Sequence, residues 1–264
     1  VENQLHYVLD VSSNEDQCRV RKGHAAENLS RLRRRLTANL LARRLGRRIK
    51  RGEATITVVD WTGNHVYQPG FMYIAFGGEK ADGLQRPERG LLDKRVELVV
   101  GEIAEVEEVS REVTLTDGRT LPYDYLVLAT GSRITPDEIP HFADEAHHFY
   151  NAQAALRLRH ALDAFSGGRI VVAIAGMPYK CPPAPLEVSL LIEAELRQRG
   201  LRTQSEIHFC SPIGRAFTIE SVSEMVTPIL AEKGVELHTF FNVETIDPER
   251  KVIQSLEGEE LPYD

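Results

Sequence analysis

The chain has 264 residues, of which 42% are hydrophobic and 27% charged, and its formal net charge is −7. This composition excludes a disordered or low-complexity protein, and the length is enough to bury one large core or two smaller ones. The sequence has no run of about 18 apolar residues and no signal-peptide pattern, so it predicts neither a transmembrane helix nor export.

A basic amphipathic helix is the first element that the sequence predicts. Residues 31–51 carry ten Lys and Arg side chains and no acidic one, and leucines recur among them at helical spacing. Such a helix can attract anionic lipid or nucleic acid, or it can pack its apolar face on a core and leave the basic face in solvent. We favour the second interpretation and predict no nucleic-acid binding, because no aromatic side chains interleave the arginines.

The next segment has the pattern of a strand in a nucleotide-binding unit. The alternating run Ala54–Asp60 predicts a β-strand that ends in an acid, the position at which a Rossmann unit binds the hydroxyl groups of a ribose. An acid after a strand is also common in surface turns. In the segment that follows, Tyr67 and Phe71 have two interpretations, contact with a cofactor ring or packing in a core.

Two stretches of the chain repeat at an offset of about 140 residues, which predicts two copies of one module. Val96-Glu-Leu98 recurs as Val235-Glu-Leu237, and Leu121-Pro-Tyr-Asp124 recurs as Leu261-Pro-Tyr-Asp264. A hairpin-like turn that contains glycine lies between the members of each pair.

The two copies differ in their strands. The first copy continues into Tyr125–Gly131, which predicts a buried strand that ends at a glycine. The second copy ends at Asp264, so we expect the chain to be incomplete there. The counterpart of Ala54–Asp60 in the second copy is Ser205–Pro212, which predicts a strand without a terminal acid.

Cys181 is the most distinctive residue because of the turn in which it lies. Arg169–Gly176 predicts a buried parallel strand and Leu186–Arg199 predicts a helix. In a dinucleotide-binding βαβ unit the turn between these elements is glycine-rich, so that the backbone can approach a pyrophosphate. Here the turn reads Met177-Pro-Tyr-Lys-Cys-Pro-Pro-Ala-Pro185, which favours sulfur chemistry over NAD binding.

Two charged residues near Cys181 have both a chemical and a structural interpretation. Lys180 could lower the pKa of the thiol, or its side chain could point into solvent. Glu187 could relay a proton, or it could interact with the dipole of the predicted helix.

The remaining cysteines and a histidine pair give no further site. Cys18, Cys181 and Cys210 lack C-x-x-C spacing and histidines at ligand spacing, so we predict neither a metal site nor a disulfide framework. Cys210 is predicted to be a buried strand residue, and Cys18 supports no assignment. The segment 144–148, which contains His147-His148, is predicted to be a solvated loop.

Three motifs in this order carry a resemblance to a known family. They are Asn64–Gly77, Ala129-Thr-Gly-Ser-Arg133 and Cys181-Pro-Pro-Ala-Pro185, and over residues 37–264 the chain resembles the sulfide:quinone oxidoreductases, with flavocytochrome c sulfide dehydrogenase as a near relative. The resemblance implies an α/β fold with two Rossmann-like domains that bind FAD or NAD(P), with parallel sheets flanked by helices and small antiparallel sheets.

The resemblance also implies a division into domains. We predict an anomalous segment over residues 1–36, an FAD-binding domain over 37–150, and a second Rossmann-like domain over 151–264 that has lost its glycine fingerprint. Residues 1–36 contain one glycine, Gly23, where the family has a strand and a G-x-G-x-x-G turn.

The same resemblance implies roles for particular residues. Cys181 would match the active-site cysteine that lies over the flavin ring. In the family, sulfide sulfur is taken up by a pair of redox cysteines, oxidation proceeds through a cysteine-flavin intermediate, and electrons pass to a membrane quinone. The implied cofactor is FAD, with Asp60 on the adenosine ribose, the backbone near Ile103 facing the adenine, and Ala129, Thr130 and Gly131 lining the cofactor.

Two departures from the family favour an incomplete chain. The glycine-rich turn is missing from residues 1–36, and the second catalytic cysteine is expected beyond Asp264, so we do not expect this chain to complete a catalytic cycle. The alternatives are a non-catalytic truncated remnant of the flavoprotein scaffold and an NADH:quinone dehydrogenase-like flavoenzyme, the latter disfavoured by the missing glycines after Gly176. We expect a cytoplasmic location, with peripheral attachment at a membrane surface and homo-oligomer formation left open.

Overall fold

The computed structural model describes residues 38–50, 52–131 and 133–264. Contacts divide these residues into two compact units, the first comprising 38–67 and 82–131 and the second comprising 68–81 and 133–264. The domain boundary at residue 150 stays a prediction. The anomalous segment 1–36 and Cys18 lie outside the described residues.

The described chain contains helices and short strands. In order they are α1 (38–48), β1 (Ile56–Asp60), β2 (Asn64–Val66), α2 (Phe71–Gly77), β3 (Gln85–Pro87), α3 (Glu88–Leu91), β4 (Val96–Val100), β5 (Ile103–Glu107), β6 (Glu112–Leu115), β7 (Thr120–Pro122), α4 (Phe142–Glu145), α5 (Ala152–Ala164), β8 (Gly168–Ala173), α6 (Ala184–Gln198), β9 (Ser205–Ser211), α7 (Glu220–Glu232), β10 (Val235–Thr239), β11 (Val243–Asp247), β12 (Val252–Ser255) and β13 (Glu260–Pro262). Among the described residues, no helix combines the length and the apolar character that crossing a membrane requires.

The first unit has a parallel sheet with a helix packed on it. Strands β1 and β4 pair in parallel, with Ile56 opposite Val96 and Asp60 opposite Val100. Ala42 of α1 is buried in a core cluster with Val96, so one face of the helix packs on the core, while Leu40, one of the leucines at helical spacing, is 45% exposed. The arginines of α1 are exposed, namely Arg43, Arg44, Arg47 and Arg48. For the described part of the basic helix, the interpretation of a core-packed helix with a solvated basic face is therefore confirmed.

The buried strand predicted over Tyr125–Gly131 is wrong. This segment has no regular secondary structure, and Tyr125 and Leu128 are 94% and 65% exposed. A parallel strand needs a neighbour to complete its hydrogen bonds. Among the described residues, the parallel sheet of the first unit consists of β1 and β4 alone, and neither pairs with this segment. The apolar side chains that suggested a buried strand therefore lie largely on the surface.

The second unit is built on a parallel sheet with strand order β10-β9-β8. The predicted strands are confirmed as β8 and β9, and the predicted helix is confirmed as α6, which begins two residues earlier than expected at Ala184. Helix α5 is tied to α2 and α6 through Arg159, whose Nη1 donates to the Ala75 carbonyl at 3.0 Å and to Glu195 Oε2 at 2.9 Å. Phe71 of α2 is 6% exposed, so it takes the core-packing role.

Two three-stranded antiparallel sheets confirm the internal repeat. The sheets β5-β6-β7 and β11-β12-β13 lie in different units. Their equivalent first pairs are Ile103 with Leu115 and Val243 with Ser255. In each sheet a shift in register follows that pair, and the turn glycines, Gly118 and Gly258, both have a φ of 86°. The two copies therefore share register, bulge and turn.

The second antiparallel sheet carries a buried core of its own. Phe241 and Cys210 are completely buried in a cluster that includes Ile246, Ile253 and Leu261, one residue from each of the three hairpin strands. The cluster joins β9 to this sheet within the second unit.

An ion pair on this sheet predicts an acid-sensitive contribution to stability. Arg250 donates to both carboxylate oxygens of Glu260, at 2.9 and 2.5 Å, and with a further bond from Gln254 it lowers the pKa of Glu260 to about 2. A carboxyl whose pKa is lower in the folded state stabilises the fold above its unfolded pKa of about 4.5, and that contribution is lost as the pH falls toward 2. Glu260→Gln should lower the urea concentration at the unfolding midpoint at neutral pH. The difference between the midpoints of wild type and variant should shrink as the pH falls from about 4.5 toward 2. A difference that stays constant with pH would contradict the assignment.

Candidate active site

Cys181 lies on the turn between β8 and α6 with its side chain exposed. Its φ is 60°, in the left-handed region that residues other than glycine rarely adopt. Its carbonyl oxygen accepts a hydrogen bond from the Ala184 N–H at 2.9 Å, which joins the turn to the first residue of α6. Residues in this conformation persist where their surroundings fix them, and they cluster at functional sites.

Two tyrosines hold the residues on either side of Cys181. The hydroxyl of Tyr150 donates to the Lys180 carbonyl at 2.7 Å, and the hydroxyl of Tyr179 donates to the Pro182 carbonyl at 3.4 Å. Burial, with smaller Coulombic contributions from Cys181 and Tyr179, raises the pKa of Tyr150, so Tyr150 stays protonated as a donor at neutral pH. The ammonium group of Lys180 lies 5.8 Å from the centre of the Tyr150 ring. The Lys180 side chain therefore makes a cation–π contact with Tyr150, and its effect on the Cys181 thiol stays a prediction.

Glu187 lies in the first turn of α6. Its side chain keeps accessible surface, but the atoms around the carboxyl remove enough water to raise its pKa. Desolvation is the cause of this upward direction. The chemical and the structural interpretation of Glu187 therefore both stay open.

Asp60 ends β1 and caps the turn that follows it. Its Oδ1 accepts from the backbone N–H groups of Thr62 and Gly63 at 2.9 and 2.6 Å, and from the Thr62 hydroxyl at 3.0 Å. These three bonds use one carboxylate oxygen, so Oδ2 can accept from a ribose hydroxyl. The arrangement fits the adenosine end of FAD.

The other residues expected at the cofactor fall into two groups. The Asp60 carbonyl accepts from the Gly101 N–H at 3.0 Å, so Asp60 and Ile103, at the start of β5, lie at the same edge of the β1–β4 sheet. Ala129, Thr130 and Gly131 are exposed in the irregular segment, and their role toward a cofactor stays a prediction. Tyr67 is 44% exposed and keeps both of its interpretations.

The buried strand position predicted for Cys210 is confirmed. Cys210 is 0% exposed on β9, and burial raises its pKa strongly, so its thiol is not poised to ionise. The solvated loop predicted for residues 144–148 is only partly correct. Glu145 ends α4 instead, where its Oε2 accepts from Lys251 at 2.8 Å and from Tyr263 at 3.1 Å.

Sequence reasoning missed a histidine cluster on β9 and β10. His208, His238 and Glu236 place their nitrogen and oxygen ligand atoms within 4.8 Å of one another. The signal was a repeated Glu-x-His pattern, Glu206-Ile-His208 on one strand and Glu236-Leu-His238 on the next. The prediction of no metal site did not take this pattern into account.

Comparison with known proteins gives consistent matches. The sequence profile of the family described as "Pyridine nucleotide-disulphide oxidoreductase" matches residues 41–264. The mitochondrial sulfide:quinone oxidoreductase of Mus musculus is 22% identical over 216 residues, 80% of this chain and 48% of that protein. The sulfide-quinone reductase of Aquifex aeolicus is 25% identical over 203 residues, 73% of this chain and 46% of that protein.

A solved structure matches in fold. The sulfide:quinone oxidoreductase of Aquifex aeolicus superposes with a TM-score of 0.71 at 22% identity, covering 87% of this chain and 54% of that chain. The chain spans about half the length of the curated relatives it matches. These matches confirm the α/β fold of Rossmann-like, FAD/NAD(P)-binding type and the resemblance carried by the three motifs.

Proposed function

The chain belongs to the pyridine nucleotide-disulphide oxidoreductase family, and we propose that it oxidises sulfide at Cys181, with FAD as the electron acceptor and a membrane quinone as the final one. FAD is the cofactor of this flavoprotein family, and the family supports a flavin oxidoreductase. The observation that carries the finer proposal is the exposed Cys181 thiol, held in a left-handed conformation on a βα turn where nucleotide-binding proteins have glycines. The names of the curated relatives support sulfide and quinone as the substrates.

The chemistry assigned to this chain begins at the Cys181 sulfur. The Cys181 thiolate takes up the sulfur of hydrosulfide: one S–S bond forms at Sγ, the hydrosulfide loses its proton, and two electrons leave the sulfur pair. When bound, FAD supplies a two-electron acceptor for this oxidation. The exposure of Cys181 admits hydrosulfide, and Glu187, in the first turn of the helix that follows Cys181, is the group we assign to take the released proton.

The proposed location is cytoplasmic and peripheral to a membrane. The basic surface of α1 is compatible with peripheral attachment, since Arg43, Arg47 and Arg48 are exposed while another face of the helix packs on the core. The quinone acceptor rests on the relatives' names alone.

Anaerobic addition of sulfide to the FAD-loaded protein tests the proposed function. We expect the visible absorbance of the flavin to bleach with sulfide and to return when a soluble quinone is added. Bleaching by NADH but not by sulfide would instead support an NADH:quinone dehydrogenase-like flavoenzyme. A purified chain that binds no FAD would support the non-catalytic remnant.

Asp60→Asn should weaken FAD binding while leaving the fold intact. The substitution removes a charged acceptor, and a hydrogen bond to a charged group contributes about 1.5–3 kcal/mol, or about 10- to 100-fold in affinity. The measurement is a titration with FAD followed by quenching of flavin fluorescence.

Asp247→Asn is a matched control for this substitution. Asp247 ends β11, and its Oδ1 accepts from the N–H groups of Glu249 and Arg250, both at 3.0 Å, so it caps the same kind of turn in the second unit. We expect the affinity for FAD to be unchanged in this variant. Equal losses in the two variants would show that turn stability is responsible, and the ribose assignment would be wrong.

A further inference from the structure

Strands β9 and β10 bring two histidines and a glutamate together in the second unit. The strands are parallel, with His208 opposite Glu236 and Cys210 opposite His238. Alternate residues of a strand share a face, so the three side chains project from one face of the sheet. Nδ1 of His208 is 3.0 Å from Nε2 of His238, and the Glu236 carboxylate lies 3.6 Å from the first of these nitrogens and 3.8 Å from the second.

These separations match three ligands of one small divalent cation. Zn²⁺ binds imidazole nitrogen and carboxylate oxygen at about 2.0–2.2 Å in tetrahedral geometry, which places neighbouring ligand atoms about 3.3–3.6 Å apart. The two nitrogens therefore need to separate by a few tenths of an ångström, and one oxygen of Glu236 needs to approach both of them, since its contacts are now divided between Oε2, on the side of His208, and Oε1, on the side of His238.

A carboxylate outside the cluster, that of Glu259, orients His238 as a ligand. A carboxylate can only accept, so the contact of 2.6 Å between His238 Nδ1 and Glu259 Oε1 places a proton on Nδ1. In the neutral ring, Nε2 then presents its lone pair toward His208. A carboxylate behind a ligating histidine is the usual outer-shell arrangement at zinc sites. Glu206 gives His208 a similar neighbour, 3.7 Å from its Nε2.

The accessibility of the cluster also suits a bound ion, since the two histidines are nearly buried and the glutamate is exposed. The side chains of His208 and His238 are 12% and 11% exposed, while that of Glu236 is 66% exposed. The histidines are thus held in place by packing, and solvent reaches the cluster from the side of Glu236.

We propose that His208, His238 and Glu236 form a binding site for a divalent transition-metal ion of the zinc type, with water in the remaining position. Two imidazoles and one carboxylate favour Zn²⁺ over Mg²⁺ or Ca²⁺, which prefer oxygen ligands alone. Among the described residues, β10 is an edge strand of its sheet, and the ion links it to the central strand β9. The site uses no residue assigned to sulfide or FAD.

Zinc titration in competition with a chromogenic chelator tests the proposal. Every protein carries Cys181→Ser, so that the exposed thiol cannot bind the metal. We expect the parent to bind one zinc ion per chain. In Glu236→Gln and in His238→Gln we expect this ion to be lost, or its affinity to fall at least tenfold. The matched controls are Glu244→Gln and His160→Gln, which change exposed side chains outside the cluster and should bind zinc like the parent.

A thermal measurement keeps the test decisive if His238→Gln is destabilised. Glu236 is largely exposed, so Glu236→Gln should melt like the parent without metal, while zinc should raise the melting temperature of the parent only. Magnesium at the same concentration should raise neither. If the parent and Glu236→Gln bind zinc with the same affinity and gain the same thermal stabilisation, the site is overturned.

Discussion

The FAD-loaded Cys181→Ser variant is expected to show no bleaching of its flavin by sulfide, a loss in rate of at least about 1000-fold. A serine hydroxyl does not ionise near neutral pH, so it cannot replace the thiolate that accepts sulfide sulfur. The side chains are nearly the same size and residue 181 is exposed, so packing is unaffected. The measurement is anaerobic stopped-flow absorbance of the flavin after mixing with sulfide.

Two controls make the result specific to residue 181. Dithionite should bleach the Cys181→Ser variant as it bleaches wild type, which would show that the cofactor is bound and can be reduced. Cys210→Ala removes the other described thiol, which is completely buried, and its bleaching by sulfide should keep the wild-type rate. If Cys181→Ser bleaches as fast as wild type, Cys181 has no part in the reaction.

Phe241→Ala is expected to lower the free energy of unfolding by about 3–5 kcal/mol. Phe241 is 0% exposed, and its ring lies in the cluster that joins β9 to the second antiparallel sheet. Truncation leaves a cavity that neighbouring strands cannot fill, because their backbones are fixed by the hydrogen bonds of two sheets. Urea unfolding followed by circular dichroism measures the change.

The adjacent phenylalanine provides the control. Phe240 is 61% exposed, so Phe240→Ala should change the free energy of unfolding by less than about 1 kcal/mol. Comparable losses in the two variants would mean that the cluster around Phe241 does not hold the sheet to β9.

The sequence predicted elements whose signal is local. Runs of β-branched residues bounded by glycine or an acid indicated β1 and β8, the internal repeat indicated β9, and apolar spacing indicated α6. The repeat of Leu-Pro-Tyr-Asp predicted two copies of one module, and the two antiparallel sheets match because a hairpin carries its own register in its turn.

The sequence failed where structure depends on a distant neighbour. Tyr125–Gly131 has the composition of a buried strand, but composition does not specify a pairing partner, and among the described residues it has none in a sheet. The cluster of His208 and His238 depends on the register of β9 against β10, which the repeated Glu-x-His pattern suggests only once the strands are known to be adjacent.

The site at Cys181 was predictable in part for the same reason. The proline-rich turn identified the thiol, because glycines are required where a backbone approaches a pyrophosphate. The hydrogen bond from Tyr150 to the Lys180 carbonyl was not predictable, since it joins residues 30 positions apart in the chain. No local pattern in the sequence indicates that contact.

The left-handed backbone at residue 181 has an evolutionary consequence. Glycine adopts this conformation without the Cβ crowding that costs other residues about 1–2 kcal/mol. Under the proposed function, the fold keeps a strained residue at position 181 for the sake of its thiol, and relatives with glycine at the equivalent position are expected to lack the reaction.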